Sequence, residues 1–245
     1  WLMARMLVLD EQALPSQETL AYWRAAGMER TLFEKRAQQR PFNFADCVHP
    51  IPVGYTRLRE GDQVQIGARN WLVRTGDGHA PEHATLWSQD DSLIIGGDQL
   101  LPSISANLGV YAAEPEADPV SEWLDSCRKF LPEARAEHLV LPGHKLPFTG
   151  LPFRLQQMAE NHHQALERLL GHLHEPQTAA GCFPALYKRP IGEGEYGLAL
   201  VEAVARRSAY LVLLTENPGA LRRLLTLCAA SPWIAEQITR FPLLL

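Results

Sequence analysis

The chain has 245 residues, 46% of them hydrophobic and 21% charged, a composition suited to one large globular domain or two small ones. A formal net charge of −5 with no Lys/Arg run argues against nucleic acid or an anionic membrane as the main partner. Cys47, Cys127, Cys182 and Cys228 lie far apart with no CxxC, no stretch approaches the roughly 18 apolar residues of a membrane helix, and no secretory signal is present, so free thiols in the cytoplasm are expected.

The first forty residues have helical character. Leu2, Met6, Leu7 and Leu9 begin an apolar stripe at the very start, which predicts a true N-terminus upstream of Trp1. SQETLAYWRAAG (16–27) predicts a helix capped by Ser16 and stopped at Gly27, and a more charged helix follows over 29–38. From Pro41 the texture changes to alternating apolar and polar residues, predicting strands near 55–58, 63–66, 70–75, 84–88 and 92–96. DPVSEWLDSCRKFL (118–131) predicts an amphipathic helix with Trp123 in the core, HLVLPGH (138–144) a short buried strand with His138 as a structural residue, and 151–173 a long helix. His162, His163, His172 and His174 are expected on that helix's solvated surface. CFPALYKRPIGEGEYG (182–197) reads as a punctuated loop, and everything from about 199 onward as helix. Strands in hairpins followed by strands alternating with helices predict a layered α/β fold with mixed sheets.

Three places share one grammar. WLVRT is followed by Gly78-His79, SLIIG by Gly97-Asp98, and HLVLP by Gly143-His144. Each time a buried strand ends, glycine turns the chain and a metal-capable side chain follows. If these strands lie side by side, two imidazoles and a carboxylate converge at one sheet edge, a donor set suited to zinc. A carboxylate can bridge two such ions, and ions there polarise a carbonyl and acidify a shared water.

GHAPEH, IIGGDQLLP and LPGH, in this order and spacing, resemble the metallo-β-lactamase fold hydrolases, and most nearly the glyoxalase II and thioesterase-like branch, over roughly residues 1–201. The resemblance implies a partial αββα fold and hydrolysis of a small thioester, ester or lactone by metal-activated water. It implies that His79 is a ligand of a first zinc, His144 a ligand of a second, and Asp98 the catalytic carboxylate bridging both. His83 is expected to brace the loop by hydrogen bonds. Asn107, Leu108, Gly109 and Tyr111 are candidates for lining a substrate cleft, and Tyr187, Lys188 and Arg189 for approaching an acidic substrate. The family's HxHxDH signature is absent: His49 is the only histidine before His79, and its neighbours DCVHPIP do not fit. Zero or one weakly held zinc is therefore expected here, with impaired hydrolysis.

The segment from Val201 has a different character, with helices expected near 199–214, 218–229 and 232–240. It carries 5 Arg and 3 Glu, against an acidic remainder. ENPGALRRLLTLCAASPWIAEQITRFPLLL closely resembles a helical, non-catalytic region of bacterial glutamine synthetase adenylyltransferase. No DxD pair of the kind that holds magnesium in that family occurs, which predicts no adenylyl transfer by this chain. The expected organisation is a truncated metallo-β-lactamase-like domain over 1–150, a helical region of the same family over 151–200, and an adenylyltransferase-like tail over 201–245. The alternative function is a non-catalytic chimeric scaffold with a helical interaction tail. RFPLLL ends on three leucines, and such exposed apolar surface is a candidate for self-association.

Overall fold

The computed structural model describes residues 12–42, 46, 56–175, 177–187 and 189–216. The expected stripe at 2–9, Cys47, His49, Lys188, Cys228 and the helices expected near 218–229 and 232–240 lie outside the described residues. In chain order come α1 (Gln17–Ala25), α2 (Arg30–Arg36), β1 (Gln63–Ile66), β2 (Arg69–Gly76), β3 (His83–Ser88) and β4 (Leu93–Gly97). There follow α3 (Pro119–Phe130), β5 (Leu139–Pro142), α4 (Leu151–His172), a 3-10 turn at Ala180–Cys182, α5 (Phe183–Tyr187) and α6 (Glu193–Glu216).

Helix starts follow their caps. The Ser16 hydroxyl accepts from the Thr19 amide at 3.2 Å, and the Glu29 carboxylate accepts from the amides of Thr31 and Leu32, both at 2.9 Å. Asp118 caps α3 through the Ser121 amide, with Pro119 in the first turn. Gly27, with φ +80°, ends the α1 region in a left-handed turn.

The five strands form one mixed sheet in the order β1-β2-β3-β4-β5. The first four pair antiparallel, and β4 pairs β5 in parallel, joined by the crossover through α3. Register sets the faces. Trp87 lies opposite Ile94, and Ile94 beside Val140, so these three share a face and are buried there. Trp87 packs on Phe130 of α3 at 6.0 Å between ring centroids, and meets His138 edge-on at 5.4 Å, the structural role expected of that histidine. Trp123 is fully buried, as its helical spacing predicted. On the opposite face Leu86, Ile95 and Leu141 align, and Ile95 is 38% exposed.

Two expected elements differ. Residues 56–59 are not strand. Arg57 pairs outward with Glu82, and the Arg59 amide donates to Asp62 Oδ2 at 2.8 Å, so local turn bonds replace a ladder. The last helix starts at Glu193, well before 199. Glu193 and Glu195 sit in its first turn, where the helix dipole favours them, and Lys35 and Arg189 pair with them. Part of the segment expected to be loop is therefore helix, and Phe183–Tyr187 adds another turn. The expected boundary at 200/201 falls inside α6, where Leu200, Val201, Ala203, Val204 and Ala205 join the same core as Trp123 and Leu155.

Among the described residues, no helix is long and apolar enough to cross a membrane. Cys127 and Cys182 are free and buried, and burial pushes their thiols up to about 12 and about 11.

Candidate metal centre

The sheet edge brings the three glycine-turn motifs together. β4 and β5 are neighbours, so the turns after them are adjacent, and the Gly143 amide donates to the Gly97 carbonyl at 2.8 Å. β2 turns at Gly78, with φ +99°, and carries His79 to the same edge. A side chain at Gly78 would also strike the Pro119 carbonyl and Trp123 of α3, so glycine is required there twice over.

Asp98 is the hub. Its Oδ2 lies 3.4 Å from His79 Nε2, and its Oδ1 lies 3.5 Å from His144 Nε2. Each imidazole addresses its own carboxylate oxygen. Asp98 and His79 are partly buried, whereas the His144 side chain is 64% exposed. Gly143 makes room for this arrangement: a Cβ there would fall far inside contact distance of Asp98 Oδ1.

The other ring nitrogens are held. His79 Nδ1 lies 2.9 Å from the Asn107 carbonyl oxygen, an acceptor only, so Nδ1 donates there and Nε2 is the nitrogen turned toward Asp98. His83 does not face the carboxylate. Its Nε2 accepts from the Asp98 amide at 3.3 Å, and its Nδ1 donates to the Ala84 carbonyl at 3.3 Å. Accepting at Nε2 requires a neutral ring, and burial, with the neighbouring His79, lowers its pKa in the same sense. His83 thus braces the Asp98 turn through hydrogen bonds.

The donor chemistry fits a divalent cation in part. Two unhindered imidazole nitrogens flank a carboxylate, and one of them is oriented by a backbone carbonyl, as metal-bound histidines commonly are. The three side chains form a row rather than a closed cage. Among the described residues, no group of three or more His, Cys, Asp or Glu side chains is gathered tightly enough to enclose one ion.

The remaining expected residues are distributed as follows. Asn107 supplies the carbonyl on His79, and its side-chain amide donates to the Tyr111 hydroxyl at 3.1 Å. Leu108 is a core residue at 3% exposure rather than a cleft-lining one, and Gly109 lies flat against Val201 of α6. The Tyr187 hydroxyl donates to the Ala199 carbonyl at 2.9 Å and meets Glu202 at 3.0 Å, which places it in the helical layer. Arg189 pairs with Glu195 on the surface. His162 is a correction: it is buried, not solvated, because it lies on the same helical stripe as Leu155, Met158 and Leu166.

Residue spacing missed Arg154. It is 5% exposed and binds the loop that follows Asp98. The available signal was a charged residue on the Leu151–Leu155–Met158 stripe.

No family model matches the chain. A β-lactamase domain protein from Burkholderia ambifaria superimposes with a TM-score of 0.72 at 35% identity, covering 80% of this chain and 57% of that one. The chain has the metallo-β-lactamase fold. A metallo-β-lactamase family protein from Thermus thermophilus agrees, with a TM-score of 0.63 at 24% identity, covering 87% of this chain and 63% of that one. This metallo-β-lactamase-fold chain spans less than two thirds of either structure.

The second resemblance is also present. The bifunctional glutamine synthetase adenylyltransferase/adenylyl-removing enzyme of Pseudomonas putida is 92% identical over 48 residues, 20% of this chain and 5% of that enzyme. The enzyme of the same name from Hahella chejuensis is 36% identical over 130 residues, 52% of this chain and 11% of its own length. A match of that length is longer than the segment 201–245, so the likeness is not confined to it.

Proposed function

We propose that this chain carries part of the active centre of a metal-dependent hydrolase of the metallo-β-lactamase superfamily, acting on a small thioester, ester or lactone. The observation that carries the reading is the row His79–Asp98–His144, in which one carboxylate faces two imidazoles through separate oxygens. A bridging carboxylate between two ions presents itself in this way, one oxygen to each side. In a complete site of this kind His79 and Asp98 would help to hold a first zinc and Asp98 and His144 a second; this chain by itself would hold at most one, weakly. Zinc at such a place polarises a carbonyl and makes water acidic enough to react near neutral pH. The protein's own contribution is to fix Asp98 through the His83 bond and His79 through the Asn107 carbonyl, and Tyr111, bonded to the Asn107 side chain, is the candidate substrate contact.

Three protein donors spread over two positions hold metal loosely, and the chain contains no HxHxDH segment. Zinc binding is therefore weak, and hydrolysis by this chain alone is slow. The experiment is zinc analysis of the purified chain beside Asp98→Ala and His144→Ala, with thioester and lactone assays. Zinc retained by the chain and lost from both variants supports the reading. Zinc content equal in all three removes it.

A second reading rests on the 48 residues at 92% identity. In it, the chain is a non-catalytic scaffold whose helical segment derives from an adenylyltransferase. A metal-free, inactive chain with an intact fold is its expected result.

A further inference from the structure

Arg154 stands in the first turn of α4, ten residues after His144, and is almost wholly buried. Its Nε donates to the Leu101 carbonyl at 2.6 Å, its Nη2 to the Ile104 carbonyl at 2.8 Å, and its Nη1 to Gln157 Oε1 at 2.5 Å. Among the described residues no carboxylate pairs with it, and the partners it meets there are neutral oxygens. Burying a guanidinium against carbonyls is costly, and an apolar residue of similar length would fill the same stripe more cheaply. What the guanidinium supplies is a planar fork of fixed donors that can hold two carbonyls three residues apart.

Those carbonyls belong to one segment with two functional ends. At its start is Asp98, the hub carboxylate, and near its end is Asn107, whose carbonyl holds the His79 ring. Leu100 and Leu101 anchor the first half by burial, with exposures of 0% and 1%. The stretch from Pro102 to Ser105 has no such anchor, and Ile104 is 37% exposed. Arg154 grips the segment just before that stretch, at Leu101, and within it, at Ile104.

We infer that Arg154 is a positioning residue of the centre, clamping the 101–104 backbone so that the Asn107 carbonyl stays on His79 Nδ1 and Nε2 stays aimed at Asp98. It also ties the segment following His144 to the segment following Asp98, so all three motif-bearing turns share one fastening. The part of the inference that concerns metal rests on the proposed function. The part that concerns the His79 ring does not.

The test uses the full chain, Arg154→Lys and Arg154→Met. The ring nitrogens of His79 are followed by long-range nitrogen–proton NMR at alkaline pH, above the ordinary imidazole range. The full chain is expected to show the Nδ1–H form, and both variants a mixture of the two tautomers. Co2+ titration followed in the visible range is expected to show affinity lower by about 10-fold or more in both variants. Lysine keeps the stem and the charge but not the fork, so Arg154→Lys is expected to recover stability without recovering the tautomer. It also decides the matter if Arg154→Met does not fold. An unchanged tautomer in a folded variant, whatever its melting temperature, overturns the inference. If the full chain binds no Co2+, the metal-centre reading fails while the ring tautomer still decides the role of Arg154.

Discussion

His79 presents Nδ1 to the backbone carbonyl of Asn107 at 2.9 Å and Nε2 to Asp98 at 3.4 Å, so the loop that bears the carboxylate also orients the imidazole facing it. Because the acceptor on Nδ1 is main chain, the identity of residue 107 matters less than the course of the backbone. Tyr111→Phe removes only the hydroxyl that meets the Asn107 side chain, at a stability cost of about 1 kcal/mol. Zinc content is expected to match the parent chain, while KM for a hydrolysed substrate rises if Tyr111 lines the cleft. Zinc lost from Tyr111→Phe would show that the hydroxyl, not the carbonyl, governs His79.

Gly143→Ala places a methyl group 2.3 Å from Asp98 Oδ1, well inside contact distance. The carboxylate must rotate or the turn must open, and either change breaks the pairing with His144. A folded variant with lower zinc affinity and a loss of about 1–3 kcal/mol is expected, measured by denaturant titration and metal analysis. Gly171→Ala in α4 meets nothing within 4 Å and serves as the control, expected to stabilise by about 0.5–1 kcal/mol. Parent-like zinc affinity in Gly143→Ala would sink the spatial argument.

His162 is held neutral by burial and by the cation of Arg206, whose Nη1 lies 3.4 Å from its Nδ1, and its pKa is pushed down to about 3. The unfolded chain takes up this proton near pH 6.5 and the native chain does not. The group costs nothing above that pH, and stability falls by about 1.4 kcal/mol per unit as pH drops from about 6.5 toward 3. Glu202 nearby has a raised pKa through burial and works in the opposite sense, so the variant must be compared with the parent over the same range. His162→Gln is expected to flatten the acid limb of unfolding free energy by one proton. Parallel limbs in parent and variant would refute this.

Lys145 follows His144 with φ +74°, a conformation that L side chains resist. Lys145→Gly should relieve that strain and stabilise the chain by about 0.5–1 kcal/mol in thermal melts, despite the added freedom of the unfolded chain. Destabilisation would mean that the lysine side chain contributes more than its backbone costs.

Much of the fold was legible because its causes are local. Ser16 and the apolar spacing of 118–131 announced their helices, and the alternation near 63–66, 70–75 and 84–88 announced the hairpins. The segment at 56–59 misled because a single apolar residue, Leu58, cannot choose between a strand and a turn. GEGEY misled because its glycines suggested a loop, while the lysine and arginine that support its acidic helix start come from α2 and the loop after α5.

The sequence by itself determined the three turns, since glycine followed by histidine or aspartate at a strand end is a property of neighbours in the chain. It also determined that His79, Asp98 and His144 were the residues to watch. Only the tertiary structure decided that β4 lies beside β5, that Asp98 gives one oxygen to each imidazole, and that His83 turns its ring to the Asp98 amide instead. Arg154 and His162 became visible only there as well. A polar residue on an apolar stripe shows where burial will be costly, but the partners that meet the cost, the Leu101 and Ile104 carbonyls and the Arg206 guanidinium, lie far away in sequence and are brought close by packing alone.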